Sequence, residues 1–107
     1  MEEKKDILAI LLTTSPEHEN THTVIKLAES AISMGKEVKI FMMCDGVYNV
    51  YNSGLVSLKD KGVEISVCEH NSAERGVDAE KSPVNAASLY ILGTIIEDCT
   101  RLVAFNS

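Results

Sequence analysis

The chain has few basic residues and no cluster of them. Ten Lys and Arg stand against 16 Asp and Glu, a net charge of −6. Lys4-Lys5 sits among Glu2, Glu3 and Asp6. A nucleic-acid partner needs a basic face to meet its phosphates, so that class is excluded. Long apolar runs are missing as well. The longest, Ile7 to Leu12, is far too short to cross a bilayer, and it follows acidic residues rather than the basic start of a signal peptide. The expectation is a cytoplasmic protein without a membrane partner. Metal-knuckle spacing is absent from the three cysteines, Cys44, Cys68 and Cys99. Their odd number fits reduced cytosolic thiols, and no metal or organic cofactor is expected. There are no repeats and no low-complexity segments. What remains is ordinary globular composition, 45% hydrophobic and 24% charged, in 107 residues that form one domain.

Strands and helices alternate along this domain. Asp6 to Thr13 is apolar on both faces, as in the centre of a covered parallel sheet. A polar loop, Thr14 to Asn20, leads into a helix whose Val24, Leu27, Ala28 and Ala31 keep helical spacing until Gly35. Glu37 to Cys44 reads as a second strand, broken by Asp45-Gly46, with Asp45 placed to cap a helix. Val47, Val50, Tyr51, Gly54, Leu55 and Leu58 form that helix's buried stripe, and Gly62 ends it. Gly54 on the stripe implies a close approach to the sheet. The third strand, Val63 to Val67, alternates apolar and polar residues, so one face is expected to be less covered. Ser82-Pro83 then starts a short helix, Leu89 to Leu92 forms a short strand, and Thr94 with Glu97 opens a last helix carrying Ile95, Ile96 and Cys99. Cys99 reads as core. The competing reading makes Val84 to Thr100 one helix, and periodicity does not separate the two. Leu102 to Phe105 closes as a strand. This order predicts an α/β fold, three-layer α/β/α, with a five-stranded mainly parallel sheet and chemistry at the carboxyl ends of its strands.

Cys68 falls at such an end. Asn71 with Glu74 matches a reciprocal helix cap, which sets backbone N–H groups near the thiol and favours a thiolate. His70 and Arg75 add positive charge, and Glu69 opposes it. The plainer reading makes Cys68 a small apolar residue ending a strand. His18 and His22, four apart, lack a third metal ligand and read as surface residues. The loop Thr13 to Thr23 can face an anion at a helix start but lacks phosphate-loop glycines. Cys68 and His70, two apart off a strand end, make a poor nucleophile–base pair.

Several segments in this order and spacing resemble the DsrE/DsrF-like family of small sulfur-relay and sulfur-oxidation proteins. They are Leu11-Leu12-Thr13-Thr14, Ala28 to Gly35 leading into Val38-Lys39-Ile40-Phe41, Asp45-Gly46-Val47, Cys68 with Ser72, Arg75 and Gly76, and Arg101 to Phe105. The resemblance implies a five-stranded parallel sheet in three layers and homotrimers or homohexamers. It also implies that Cys68 carries persulfide sulfur between donor and acceptor proteins; Asn71, Ser72, Arg75, Cys44 and Asp45 are the candidate supporting residues around it. Cys44 before Asp45-Gly46 departs from the family pattern. If strands two and three are neighbours, Cys44 and Cys68 lie about 5 Å apart at their ends, within disulfide range, although side-chain direction decides whether they pair. The alternative function is a non-catalytic oligomeric module that binds a small ligand or partner protein, with Cys68 structural.

Overall fold

The computed structural model describes residues 6–107. The acidic opening, residues 1–5, lies outside the described residues. Five strands form one all-parallel sheet in the order β4-β3-β2-β1-β5. They are β1 (Ile7–Leu12), β2 (Glu37–Met42), β3 (Glu64–Cys68), β4 (Asn85–Ala87) and β5 (Arg101–Phe105). β1, apolar on both faces, and β2, fully apolar only from Ile40 onward, lie inside the sheet. Leu12, Ile40 and Met42 are fully buried, each contributing about 1.5–3 kcal/mol of hydrophobic stabilisation.

The three connections from β1 to β4 step the same way along the sheet. Right-handed crossovers therefore place α1 (Asn20–Ser33), the β2–β3 connection and α3 (Glu69–Glu74) toward one face. The return from β4 to β5 carries α4 (Leu89–Asp98) to the other. The layers are therefore unequal. Leu89, Tyr90, Ile91 and Ile96 of α4 and Leu102 of β5 stay exposed, Tyr90 at 79%.

Several elements differ from the sequence expectation. The β2–β3 connection is three short pieces, not one helix: a 3-10 stretch Cys44–Tyr51, α2 (Ser53–Val56) and a second 3-10 stretch Ser57–Lys61. Asn52 breaks it, because its side chain accepts from the Leu55 N–H and so starts a new helix. That break turns Tyr51 out to 69% exposure, and Gly54 is exposed rather than set against the sheet. Asp45 caps no helix; its carboxylate goes to Arg75 instead. β3 is covered on both faces from Ile65 to Cys68, Ser66 included, because it lies between β2 and β4. No helix starts at Ser82-Pro83: Ser82 Oγ donates to the Ala79 carbonyl, and the chain passes straight into β4. Leu89 to Leu92 is the first turn of α4, not a strand. Thr94 Oγ1 bonds back to the Tyr90 carbonyl within that helix instead of capping a new one. The single-helix reading of Val84 to Thr100 holds only for Leu89–Asp98. Cys99 is half-buried against the core at the end of α4, and its Sγ donates to the Ile96 carbonyl.

Of the glycines, Gly46 sits under the closest approach. A Cβ there would lie 2.1 Å from the Leu12 carbonyl oxygen, which already accepts from the Met43 N–H. Backbone meets backbone, so nothing flexible can yield. Gly46→Ala is expected to destabilise the fold by about 2–3 kcal/mol, measured by denaturant unfolding; a loss below about 0.5 kcal/mol would contradict this contact.

Candidate thiol site

β2 and β3 end side by side. One step past the Met42–Val67 pair, the register sets Met43 beside Cys68. Strand alternation puts Ile65 and Val67 on the α1 face with Met42, and Cys68 on the α4 face. Cys44 would continue on the Met42 face, but it has left the strand with φ 53°, a left-handed conformation that few non-glycine residues adopt. Both cysteines are free thiols.

The cap of α3 is Cys68 itself, not Asn71. The chain passes from β3 into α3 without a linker, so Cys68 is the last extended residue, and its Sγ accepts from the Asn71 N–H at 3.4 Å. The helix is six residues long. What polarises the thiol is therefore one local N–H rather than a long helix dipole. Asn71, inside the helix, has its side chain free for other work. Its Oδ1 accepts from the Cys44 N–H at 2.8 Å, and its Nδ2 donates to Glu74 Oε1 at 3.1 Å. The Asn71–Glu74 pairing exists, then, but side chain to side chain.

Arg75 ties the same corner together. Its Nε donates to Asp45 Oδ1 at 2.9 Å, and its Nη1 reaches the Asn71 carbonyl and Glu74. The hydrogen-bonded Asp45 carboxylate, with smaller help from Glu74, holds the guanidinium above its ordinary pKa against the opposing effect of burial. The cation is fixed at the Cys44 turn. His70 leans outward to Glu74, 3.6 Å away. Ser72, one helical turn beyond Cys68, has no exposed surface, and its Oγ has no hydrogen-bond partner among the described residues.

Cys68, itself 2% exposed, borders a cavity of about 500 Å³ with Glu69, His70, Ser88 and Leu89. A second cavity of about 260 Å³ opens at the opposite end of the sheet between α1 and β5, lined by Leu8, Leu27, Met34, Lys36 and Arg101 among others. It contains no cysteine. His18 Nδ1 accepts from the Asn20 N–H. Among the described residues no group of three His, Cys, Asp or Glu is placed to hold a metal. The Thr13 hydroxyl bonds to Phe105 and Asn106, and the Thr14 hydroxyl accepts from Asn20, so the loop spends its polar groups on structure. Sequence reasoning missed Asn49. It is fully buried, accepts from Thr21 Oγ1 at 2.7 Å, and donates to the carbonyls of Thr14 and Gly46. A lone Asn among the apolar positions Val47 and Val50 was the available signal.

The fold and this thiol corner define a small α/β protein with a cysteine at the carboxyl end of a central parallel strand. The model of the DsrE/DsrF-like family matches residues 6–105, and the chain belongs to that family. It is similar to the uncharacterized protein MK0008 of Methanopyrus kandleri, 25% identical over 94% of each chain. Among solved structures it resembles the ychN protein from E. coli, with a TM-score of 0.81 at 16% identity, covering 94% of this chain and 99% of that one. A conserved protein of unknown function from Bacteroides thetaiotaomicron, BT1422, superposes with a TM-score of 0.78 at 16% identity, covering 94% and 95%. No helix among the described residues is long and apolar enough to cross a membrane.

Because the Ser72 hydroxyl is buried without a partner, removing it gives up no hydrogen bond. Ser72→Ala is expected to unfold at the wild-type midpoint or above, with a gain of up to about 1 kcal/mol. A loss of that size on thermal or denaturant unfolding would show that the hydroxyl is satisfied in solution.

Proposed function

We propose that this protein carries persulfide sulfur on Cys68, as a relay between a sulfur donor and an acceptor protein in the reducing cytoplasm. The observation that carries this reading is the placement of the Cys68 Sγ. It receives the Asn71 N–H and borders the cavity at the end of the sheet, in the chain of a family that handles sulfur. The step is redox-neutral. The Cys68 thiolate attacks the sulfane sulfur of a donor R–S–SH, a new Sγ–S bond forms, and R–S⁻ leaves with the electron pair of the broken S–S bond. Asn71 supports the sulfur through its N–H, and the Ser72 hydroxyl is an uncommitted donor one turn away. Arg75, held by Asp45 and bonded to the Asn71 carbonyl, steadies the short helix that presents this N–H.

Incubation with inorganic polysulfide, followed by peptide mapping in the mass spectrometer, is expected to find one extra sulfur on Cys68 and none at that position in Cys68→Ser. A wild-type Cys68 without added sulfur overturns the reading. The 2% exposure of Cys68 is the observation that favours the alternative, a binding module with a structural cysteine. Iodoacetamide separates the two. A relay thiol is labelled in the native protein through the cavity, whereas a structural one is labelled only after unfolding.

The exposed apolar residues of α4 and Leu102 fit burial against further copies of the chain. We expect a homotrimer or a homohexamer. Light scattering at micromolar concentration that returned the monomer mass of 11.7 kDa would contradict it.

A further inference from the structure

We propose that the second cavity, a groove between α1 and β5, binds a small amphiphilic anion: a medium-length aliphatic chain that ends in a carboxylate. The fold leaves this groove open for a topological reason. The connections that pack the α1 face all lead from β1 toward β4, and α4 on the return lies on the other face. No helix of its own therefore covers β5 on the α1 side. β5 pairs with β1 in the register Leu8–Arg101 and Ile10–Val103, which puts Arg101 and Val103 on the same face as Leu8, beside α1. The groove lies at the opposite end of the sheet from Cys68, so the proposal is independent of the sulfur reading.

Its interior is apolar. Leu8, Leu27, Ala31 and Val103 line it, with Met34 at the lip. Met34 stays 71% exposed there, and a thioether on an unbranched chain adapts to whatever it covers. An apolar cavity of about 150 Å³ admits benzene, so the 260 Å³ here takes an apolar body on the order of ten carbon atoms. Apolar walls with a few polar groups gathered at one side are the usual make-up of a small-molecule site.

The rim selects the sign of the head group. Asp6, Lys36 and Arg101 carry its charges. The Asp6 carboxylate is already engaged, by the Lys36 ammonium and by Thr100 Oγ1 at 2.9 Å. These bonds, with a smaller contribution from Arg101, hold it below the usual carboxylate range, so it stays ionised. Two cations against one carboxylate leave the rim positive. Arg101 is exposed and makes no ion pair among the described residues, which leaves its planar fork available to a carboxylate. The end of α1 would repel an anion through its carbonyls, but those of Ser30, Ala31 and Ile32 are taken up by the N–H groups of Met34, Gly35 and Lys36.

Octanoate would be titrated into the full chain while the methyl resonances of Leu8, Leu27 and Val103 are followed by NMR, with butyrate, octylamine and 1-octanol in parallel. Saturable shifts at these methyls are expected. Octanoate should bind at least about tenfold tighter than butyrate, because its longer chain takes more methylenes out of water. It should also bind at least about fivefold tighter than octylamine or octanol, through the charge-assisted contact with Arg101. Arg101→Gln changes an exposed side chain, so the fold is expected to hold, checked by circular dichroism, while the preference for octanoate over octanol falls to within about twofold. Octanoate that leaves all three methyls unmoved at about 10 mM overturns the proposal. So does octylamine binding as tightly as octanoate, or an Arg101→Gln variant that keeps the full preference. If the same methyls shift when the protein alone is diluted, a second copy of the chain fills the groove and the proposal fails.

Discussion

The closure of Gly46 over the Leu12 carbonyl sets the geometry of everything at the carboxyl end of the sheet. Two backbones meet with no side chain between them, and the Met43 N–H bonds to that same oxygen. β2 cannot run on, so the chain must turn within Met43 to Gly46. That turn puts Cys44 into a left-handed conformation and sends Asp45 toward α3. Asn49 locks the turn from below, because its amide holds the carbonyls of both Gly46 and Thr14. A buried, fully bonded Asn is costly to misplace, so it rigidifies the β1 and β2 ends as one unit.

Fixing that corner explains why α3 can be so short. Six residues make a poor helix in isolation, since nucleation costs more than so few hydrogen bonds return. Here the helix is held from outside near both ends, by Cys44 on Asn71 in the first turn and by Asp45 on Arg75 at the C-cap. These side chains thus have a structural task whatever chemistry they also serve. The surface ion pair alone would contribute little; its value lies in being joined to a backbone hydrogen bond one turn away.

The parts of the fold that rest on strong, uninterrupted patterns were legible in the sequence. β1 is apolar on both faces, β2 turns fully apolar toward its end, and α1 keeps its spacing from Val24 to Ala31, so these elements fell where periodicity placed them. Parallel pairing and the carboxyl-end location of Cys44 and Cys68 followed from the alternation of elements. Short segments were not legible. Asn71 with Glu74 has the spacing of a cap, yet the cap is one turn earlier, because no linker separates β3 from α3 and a sulfur atom serves as the acceptor. Leu89 to Leu92 suits strand or helix equally, and the three-residue β4 just before it takes the edge position instead. Gly54 was credited with a close approach that belongs to Gly46, because a sequence shows where glycine stands but not which backbone passes over it.

The unequal layers connect the fold to the site. Three connections crowd one face of the sheet, and α4 on the other leaves Leu89, Tyr90, Ile96 and Leu102 in water. Strand alternation points Cys68 toward this thinner side, where Leu89 is both a wall of its cavity and part of the exposed apolar surface. Cys44, after its left-handed turn, belongs to the crowded corner with Asn71, Asp45 and Arg75. The two thiols therefore meet different surroundings although their strands are neighbours. Whatever covers α4 bears on the approach to Cys68, while the Asp45–Arg75 corner governs the approach to Cys44. A single parallel register, with one glycine forcing the turn, is enough to separate two chemically identical groups in this way.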